Sequence, residues 1–109
     1  MRKASSRRAS RLEERIKQEL SRILLEDIQD PRLEMVTISG VRINRDLTVA
    51  EILYTHASDP DKKEEAQKGL DSAKGRLRRQ LGHSLDQKFV PELRFKWDDF
   101  LERMIYESP

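Results

Sequence analysis

The apolar residues of this chain repeatedly change their spacing, and that succession limits the folds open to it. Leu12, Ile16, Leu20, Ile23 and Leu24 recur at helical intervals and share one face. Ser10, with Glu13 three residues later, has the pattern of a capping box at the start of this helix. Pro31 disfavours helix at Asp30, so the helix is expected to fade near Glu26 or Asp27. Val36 and Ile38 then alternate with polar residues, and so do Val41 and Ile43, but in opposite phase. The slip falls at Gly40. One extra residue there lets both pairs face a core, which predicts a β-bulge. Asn44 to Asp46 supply turn residues, and Ala50, Ile52 and Tyr54 mark one face of a second strand from about Thr48 to His56. From about Lys62 to Leu85 the spacing is helical again, with Ala66, Leu70, Ala73, Leu77, Leu81 and Leu85 as the stripe and Gly82 expected to loosen the end. Leu93, Phe95 and Trp97 alternate with Arg94 and Lys96 as a third strand. Asp99 and Glu102 repeat the capping-box pattern before a short terminal helix.

This order predicts an α+β fold, a three-stranded sheet with two helices packed on one face. The other face, with Arg42, Arg94 and Lys96, is expected in solvent. A chain of 109 residues has room for one such domain. Charged residues make up 39% of it against 36% apolar, so the core must be small and the surface ionic.

The charge is unevenly placed. Arg2, Lys3, Arg7, Arg8 and Arg11 crowd the first twelve residues without an acid, so 17 of the 22 basic residues face all 20 acids elsewhere. A basic arm on a mildly acidic body suits a polyanion partner, and it equally describes a solubilising tail. An organelle transit peptide fits less well, because no large apolar residue follows Met1 in that stretch. No apolar run approaches the roughly 20 residues of a membrane span. There is no cysteine, which excludes disulfides and thiolate chemistry and fits a reducing compartment.

The stretch DSAKGRLRRQLG, Asp71 to Gly82, concentrates the question of function. On a wheel of about 100° per residue with Leu77 facing the core, Gly75 lies near 160°, Lys68 near 180° and Arg79 near 200°. Arg78 and Lys74 flank this face at about 100° and 60°. Gly75 is therefore a bare position ringed by cations. A mid-helix glycine costs about 1 kcal/mol relative to alanine. It can permit a break that frees helix-start N–H groups for anions, or it can let another backbone approach closely. A plain solvated face with a tolerated glycine is the unspecialised alternative.

Catalytic signals are weak. His56 and His83 are far apart and not in metal-ligand spacing, and Ser84 has no evident base. Asp98, Asp99 and Glu102 read better as helix-start acids than as a catalytic cluster. Phe95 and Trp97 fit a core by their alternation, although Phe95, Trp97 and Phe100 are also candidate base-stacking residues. Phe89 fits no period and is left open.

Three separated blocks carry a family resemblance: DPRLEMVTISGVRINRDLTVAEILYT (Asp30 to Thr55), GLDSAKGRLRRQLG (Gly69 to Gly82) and VPELRFKWD (Val90 to Asp98). With Asp30-Pro31-Arg32 ahead of a hairpin whose turn holds Arg45, Asp46 and Leu47, the chain resembles the ribosome-binding factor A family of bacterial small-subunit maturation factors, from about Arg7 to Trp97. The resemblance implies a KH-like fold of the second type, α-β-β-α(kinked)-β. It places an Ala-x-Gly kink at Ala73-Lys74-Gly75, where a typical KH domain has a Gly-x-x-Gly loop that this chain lacks.

By that resemblance, residues 1–10 are a flexible basic arm and 11–107 a single KH-like domain. The chain is expected to be a non-catalytic, cytoplasmic, monomeric assembly factor without cofactor, metal or small-molecule substrate. It would bind the immature small (30S) ribosomal subunit and its 16S rRNA and assist late rRNA folding and processing, most of all in the cold, with a release GTPase as a functional partner. The expected RNA-binding residues are Arg2, Lys3, Arg7, Arg8, Arg11, Arg45, Lys68, Lys74, Gly75, Arg76, Arg78 and Arg79, with backbone and shape recognition dominating over base reading. Some relatives carry a longer charged tail, whereas this sequence ends at Pro109. The rival readings are a basic protein-interaction module with no direct RNA binding and a metal-dependent hydrolase built on Asp98, Asp99 and Glu102.

Overall fold

The first helix, α1 (Arg7–Glu26), starts ahead of the expected cap at Ser10. The Ser6 hydroxyl accepts the Ala9 N–H at 3.0 Å, and Ala9 is buried. The capping box at Ser10 fails because Glu13 turns inward. This residue is only 8% exposed, and its carboxylate accepts the backbone N–H of Ile43 at 2.8 Å. Arg7 to Ser10, expected in the arm, are thus helical. The structure, a computed structural model, describes residues 6–57, 59–87 and 89–106; Arg2 and Lys3 lie outside them.

After a 3-10 turn at Pro31–Leu33 come β1 (Val36–Ile43) and β2 (Val49–His56), an antiparallel hairpin. Asn44 organises its turn by accepting the N–H groups of Thr48 and Val49 on its side-chain oxygen. Leu47 adopts a left-handed conformation there, φ 63°, which a bulky residue rarely takes. A second 3-10 turn (Pro60–Lys62) leads into α2 (Lys63–Leu85), and β3 (Glu92–Trp97) returns parallel to β2. The sheet order is β1-β2-β3, so β2 is central and α2 is the crossover that a parallel pair requires.

The expected bulge is present. Ile38 pairs with Tyr54 and Gly40 with Leu53, so Ser39 is the extra residue. The slip aligns three rows across the sheet: Ile43–Ala50–Leu93, Val41–Ile52–Phe95 and Ile38–Tyr54–Trp97. Every member of these rows is buried. The stripes of α1 (Ile16, Leu20, Ile23, Leu24) and α2 (Ala66, Leu70, Leu77, Leu81, Leu85) cover them in one core. Trp97 meets Tyr54 edge-on, ring centroids 5.5 Å apart. Phe95 and Trp97 are therefore core residues and are not free to stack on bases. Arg42, Arg94 and Lys96 stand exposed on the open face, as expected.

The last helix, α3 (Asp99–Tyr106), is capped one residue earlier than the sequence pattern suggests. Asp98 continues the β3 ladder through its N–H to the Tyr54 carbonyl, and its carboxylate accepts the Leu101 N–H and the Ser39 hydroxyl, at 2.9 and 2.6 Å. Glu102, freed from a capping role, accepts the Trp97 indole N–H at 2.8 Å.

Two outcomes test this architecture. The Ile43 N–H points away from β2 along the free edge of the sheet, so Glu13→Ala leaves it buried without an acceptor. Unfolding by urea should show a loss of about 1–3 kcal/mol, and Glu13→Gln should lose less. Burial, reinforced by the Asp71 carboxylate, pushes the Tyr54 hydroxyl up to about 12. The unfolded chain ionises this group near pH 10 and the folded chain does not, so the stability it contributes is present below pH 10 and falls as pH rises toward 12. Tyr54→Phe should flatten that decline in denaturant midpoints measured across the window.

Candidate nucleic-acid interface

Helix α2 is uninterrupted through Ala73, Lys74 and Gly75, and no glycine has a positive φ. The break anticipated there, with its freed N–H groups, is absent. The other return from a glycine is present: a Cβ at position 75 would meet nothing within 4 Å. The remaining two glycines of α2 serve packing. A Cβ at Gly69 would come within 2.9 Å of the Leu33 side chain. One at Gly82 would come within 3.2 Å of Val90. Gly82 therefore does not loosen the helix end, which continues to Leu85.

The segment after α2 is held down at several points. Asp86 takes a left-handed conformation, φ 51°, and its N–H closes the helix on the Gly82 and His83 carbonyls. Arg78 donates through Nε and Nη2 to the Val90 carbonyl, at 3.2 and 2.7 Å. Pro91 is buried, and Glu92 donates its N–H to the Thr48 carbonyl. Arg78 is thus part structural, yet it stays exposed with guanidinium donors to spare. Its replacement by glutamate would disturb the loop as well as the charge.

This loop divides a basic surface into two joined grooves. One runs along the outer face of α2 and is lined by Gly75, Arg78, Arg79, Gly82, His83 and Asp86. The other lies toward α1 and the hairpin turn, lined by Arg8, Arg11, Leu12, Arg15, Leu47 and Pro91. Gln87 and Phe89 line both, which makes the surface continuous. Phe89 is 89% exposed, and the strained Leu47 sits in the wall of the second groove.

Of the residues expected to bind RNA, Arg8, Arg11, Gly75, Arg78 and Arg79 are gathered here. Arg7, Arg45, Lys68 and Arg76 are exposed outside both grooves, and Lys74 is half-buried. Lys68 lies seven residues before Gly75, roughly 10 Å along the helix axis. Arg15 and Phe89 join the site although sequence reasoning did not assign them to it. Arg15 reads as ordinary polar surface of α1, and it also reaches the Ser84 carbonyl at 3.3 Å. The signal for Phe89 was a large aromatic outside any period, in the loop that follows the basic helix.

The carboxylates proposed for a hydrolase are engaged elsewhere. Asp98 and Glu102 make the hydrogen bonds described above, and Asp99 lies 3.9 Å from Lys63 Nζ. Ser84 accepts a hydrogen bond from Arg22 at 2.9 Å. Among the described residues no group of three His, Asp or Glu is placed to hold a metal, and no helix is long and apolar enough to cross a membrane.

Known proteins are similar to this chain in sequence and fold. The profile of the family described as ribosome-binding factor A matches residues 8–107. A ribosome-binding factor A of Citrifermentans bemidjiense is 40% identical over 97 residues, covering 88% of this chain and 81% of its own length. One from Lactobacillus acidophilus is 47% identical over 93 residues, covering 84% and 77%. The crystal structure of ribosome-binding factor A from Thermus thermophilus superposes with a TM-score of 0.73 at 26% identity, over 82% of this chain and 93% of that one. Coordinates of the Thermus thermophilus protein fitted into the cryo-EM map of a 30S–RbfA complex superpose with a TM-score of 0.66 at 27% identity, over 78% and 89%. The order α-β-β-α-β, the bulged hairpin and the match over nearly the whole sequence place this chain in the ribosome-binding factor A family.

Proposed function

We propose that this chain binds the immature small (30S) ribosomal subunit through its 16S rRNA, laid along the two joined grooves, and assists the late folding and processing of that RNA, with most effect in the cold. The observation that carries this reading is that Arg8, Arg11 and Arg15 of α1 and Arg78 and Arg79 of α2 line two neighbouring grooves that share Gln87 and Phe89. The side-chain-free surface at Gly75 lets a phosphate backbone approach the helix closely. With no Gly-x-x-Gly loop, recognition rests on backbone and shape. Arg7, Arg45, Lys68, Lys74 and Arg76 extend the field around the grooves, and Arg2 and Lys3 add to it from the N-terminus. The fitted Thermus thermophilus relative supports a 30S partner. The chain acts as a cytoplasmic, non-catalytic monomer, and a GTPase promotes its release.

Charge reversal tests the surface. Arg8→Glu, Arg11→Glu and Arg79→Glu together should abolish co-sedimentation with small subunits while the thermal melt stays near wild type, since all three side chains are exposed. Arg78 is kept because it holds the loop. Binding of naked 16S rRNA fragments should weaken with salt with a log–log slope of about −4 to −5 for six phosphate contacts. A module that meets only an acidic protein surface would show no appreciable RNA affinity, and that result would overturn the proposal.

Gly75 gives a second test with opposite signs for stability and binding. Gly75→Leu meets open space and a helical backbone, so the free protein should gain up to about 1 kcal/mol in a thermal melt. The added side chain stands where the RNA backbone would pass, and affinity should fall about tenfold or more, roughly 1.4 kcal/mol. Unchanged binding by this variant removes Gly75 from the interface.

A further inference from the structure

Phe89 stands out among the exposed apolar residues. Of the other exposed apolar residues, Leu25 borders a separate cleft between α1 and the Pro31–Leu33 turn, and Phe100 lies on α3. Phe89 differs in its setting. It lines both basic grooves, with Arg79 on one side and Arg8, Arg11 and Arg15 on the other. The chain that carries it is fixed at both ends. Gln87 donates its N–H to the Gly82 carbonyl at 3.3 Å, and Arg78 clamps the carbonyl of Val90. The ring is thus presented to solvent on a tethered segment, in the middle of the field that would hold phosphates. An aromatic face between two runs of arginine has the chemistry of a single-strand platform: the π-face takes a base and the cations take the backbone on either side.

We propose that Phe89 stacks on the base of one unpaired nucleotide, so that the interface selects single-stranded or looped RNA over continuous duplex. This rests on the RNA-binding reading above and adds the nucleotide class that the surface prefers. A paired base in a helix has no free face to offer the ring, whereas an unpaired one does. Stacking is indifferent to base identity, so the site would recognise unpairing and not sequence.

The test uses the full chain with a 12-nucleotide oligo(U) and a 12-base-pair RNA duplex as probes. Phe89→Ala should weaken oligo(U) binding about five- to 150-fold, the equivalent of one stacked base. Duplex affinity should change little, and the salt slope should be unchanged because no phosphate contact is lost. Phe89→Leu, apolar but without a π-face, should behave as Phe89→Ala. Phe89→Trp should keep the affinity, and its emission should be quenched by oligo(U) over a steady background from the buried Trp97. Wild-type affinity in Phe89→Ala or Phe89→Leu, equal loss for both probes, or unquenched Phe89→Trp at saturation would each overturn the stacking assignment. If salt-sensitive binding persists and is lost on reversal of Arg8, Arg11 and Arg79, only the stacking role falls. If the wild-type chain binds neither RNA nor small subunits, the RNA-binding reading falls with it.

Discussion

The extra residue at Ser39 sets the phase of the whole sheet. Strand side chains alternate with period two, so a strand that changes phase midway would send half of its apolar residues to the wrong face. Here the slip between Ile38 and Gly40 restores the phase, and three buried rows line up across β1, β2 and β3. The face that carries these rows is buried, whereas the other carries Arg42, Glu51, Arg94 and Lys96 beside Val49 and Leu53. Both long helices must cover the apolar face, and α2 is left with a narrow buried stripe and a broad exposed back. The cationic surface occupies that back. Ser39 also donates to Asp98, which ties the bulge to the start of α3.

Helix α2 divides its glycines between two tasks. Gly69 and Gly82 let other chain segments lie flush against the helix, the first the Pro31–Leu33 turn and the second Val90. The seat at Gly82 matters most for the site. It seats Val90 against the helix, where Arg78 clamps its carbonyl, and Gln87 and Phe89 beside it form the wall that the two grooves share. Gly75 has no packing partner, and its helix-propensity cost is not offset within the chain itself. A cost retained on an exposed, cation-ringed face is what a binding surface accounts for, and the core does not.

Much of this was legible in the sequence, for physical reasons that also mark where legibility ends. Period and phase are properties of the backbone, so the helices, strands and the slip at Gly40 could be read from apolar spacing alone. The exposed position of Gly75 followed from the same wheel. Caps were less legible because they depend on where a side chain finds a partner. Glu13 prefers the Ile43 N–H across the fold to a box with Ser10, and Asp98 takes the cap expected of Asp99 because the ladder ends on it. A break at Gly75 was one of two outcomes open to that glycine, yet the helix continues through it, since glycine permits helix as well as its interruption. The contribution of Phe89 was hidden because it arises from the loop's position between two helices that are distant in sequence.

The alternation of β3 has a bearing on how the chain behaves in company. This strand is an edge of the sheet, and Gln67 of α2 donates to its Phe95 carbonyl at 3.3 Å. Its outward positions are Glu92, Arg94 and Lys96, all exposed, so a second strand arriving there must bring fixed charges of both signs out of water or against its own. Those charges disfavour strand addition at this edge, as the Glu13 carboxylate on the Ile43 N–H does at the opposite one.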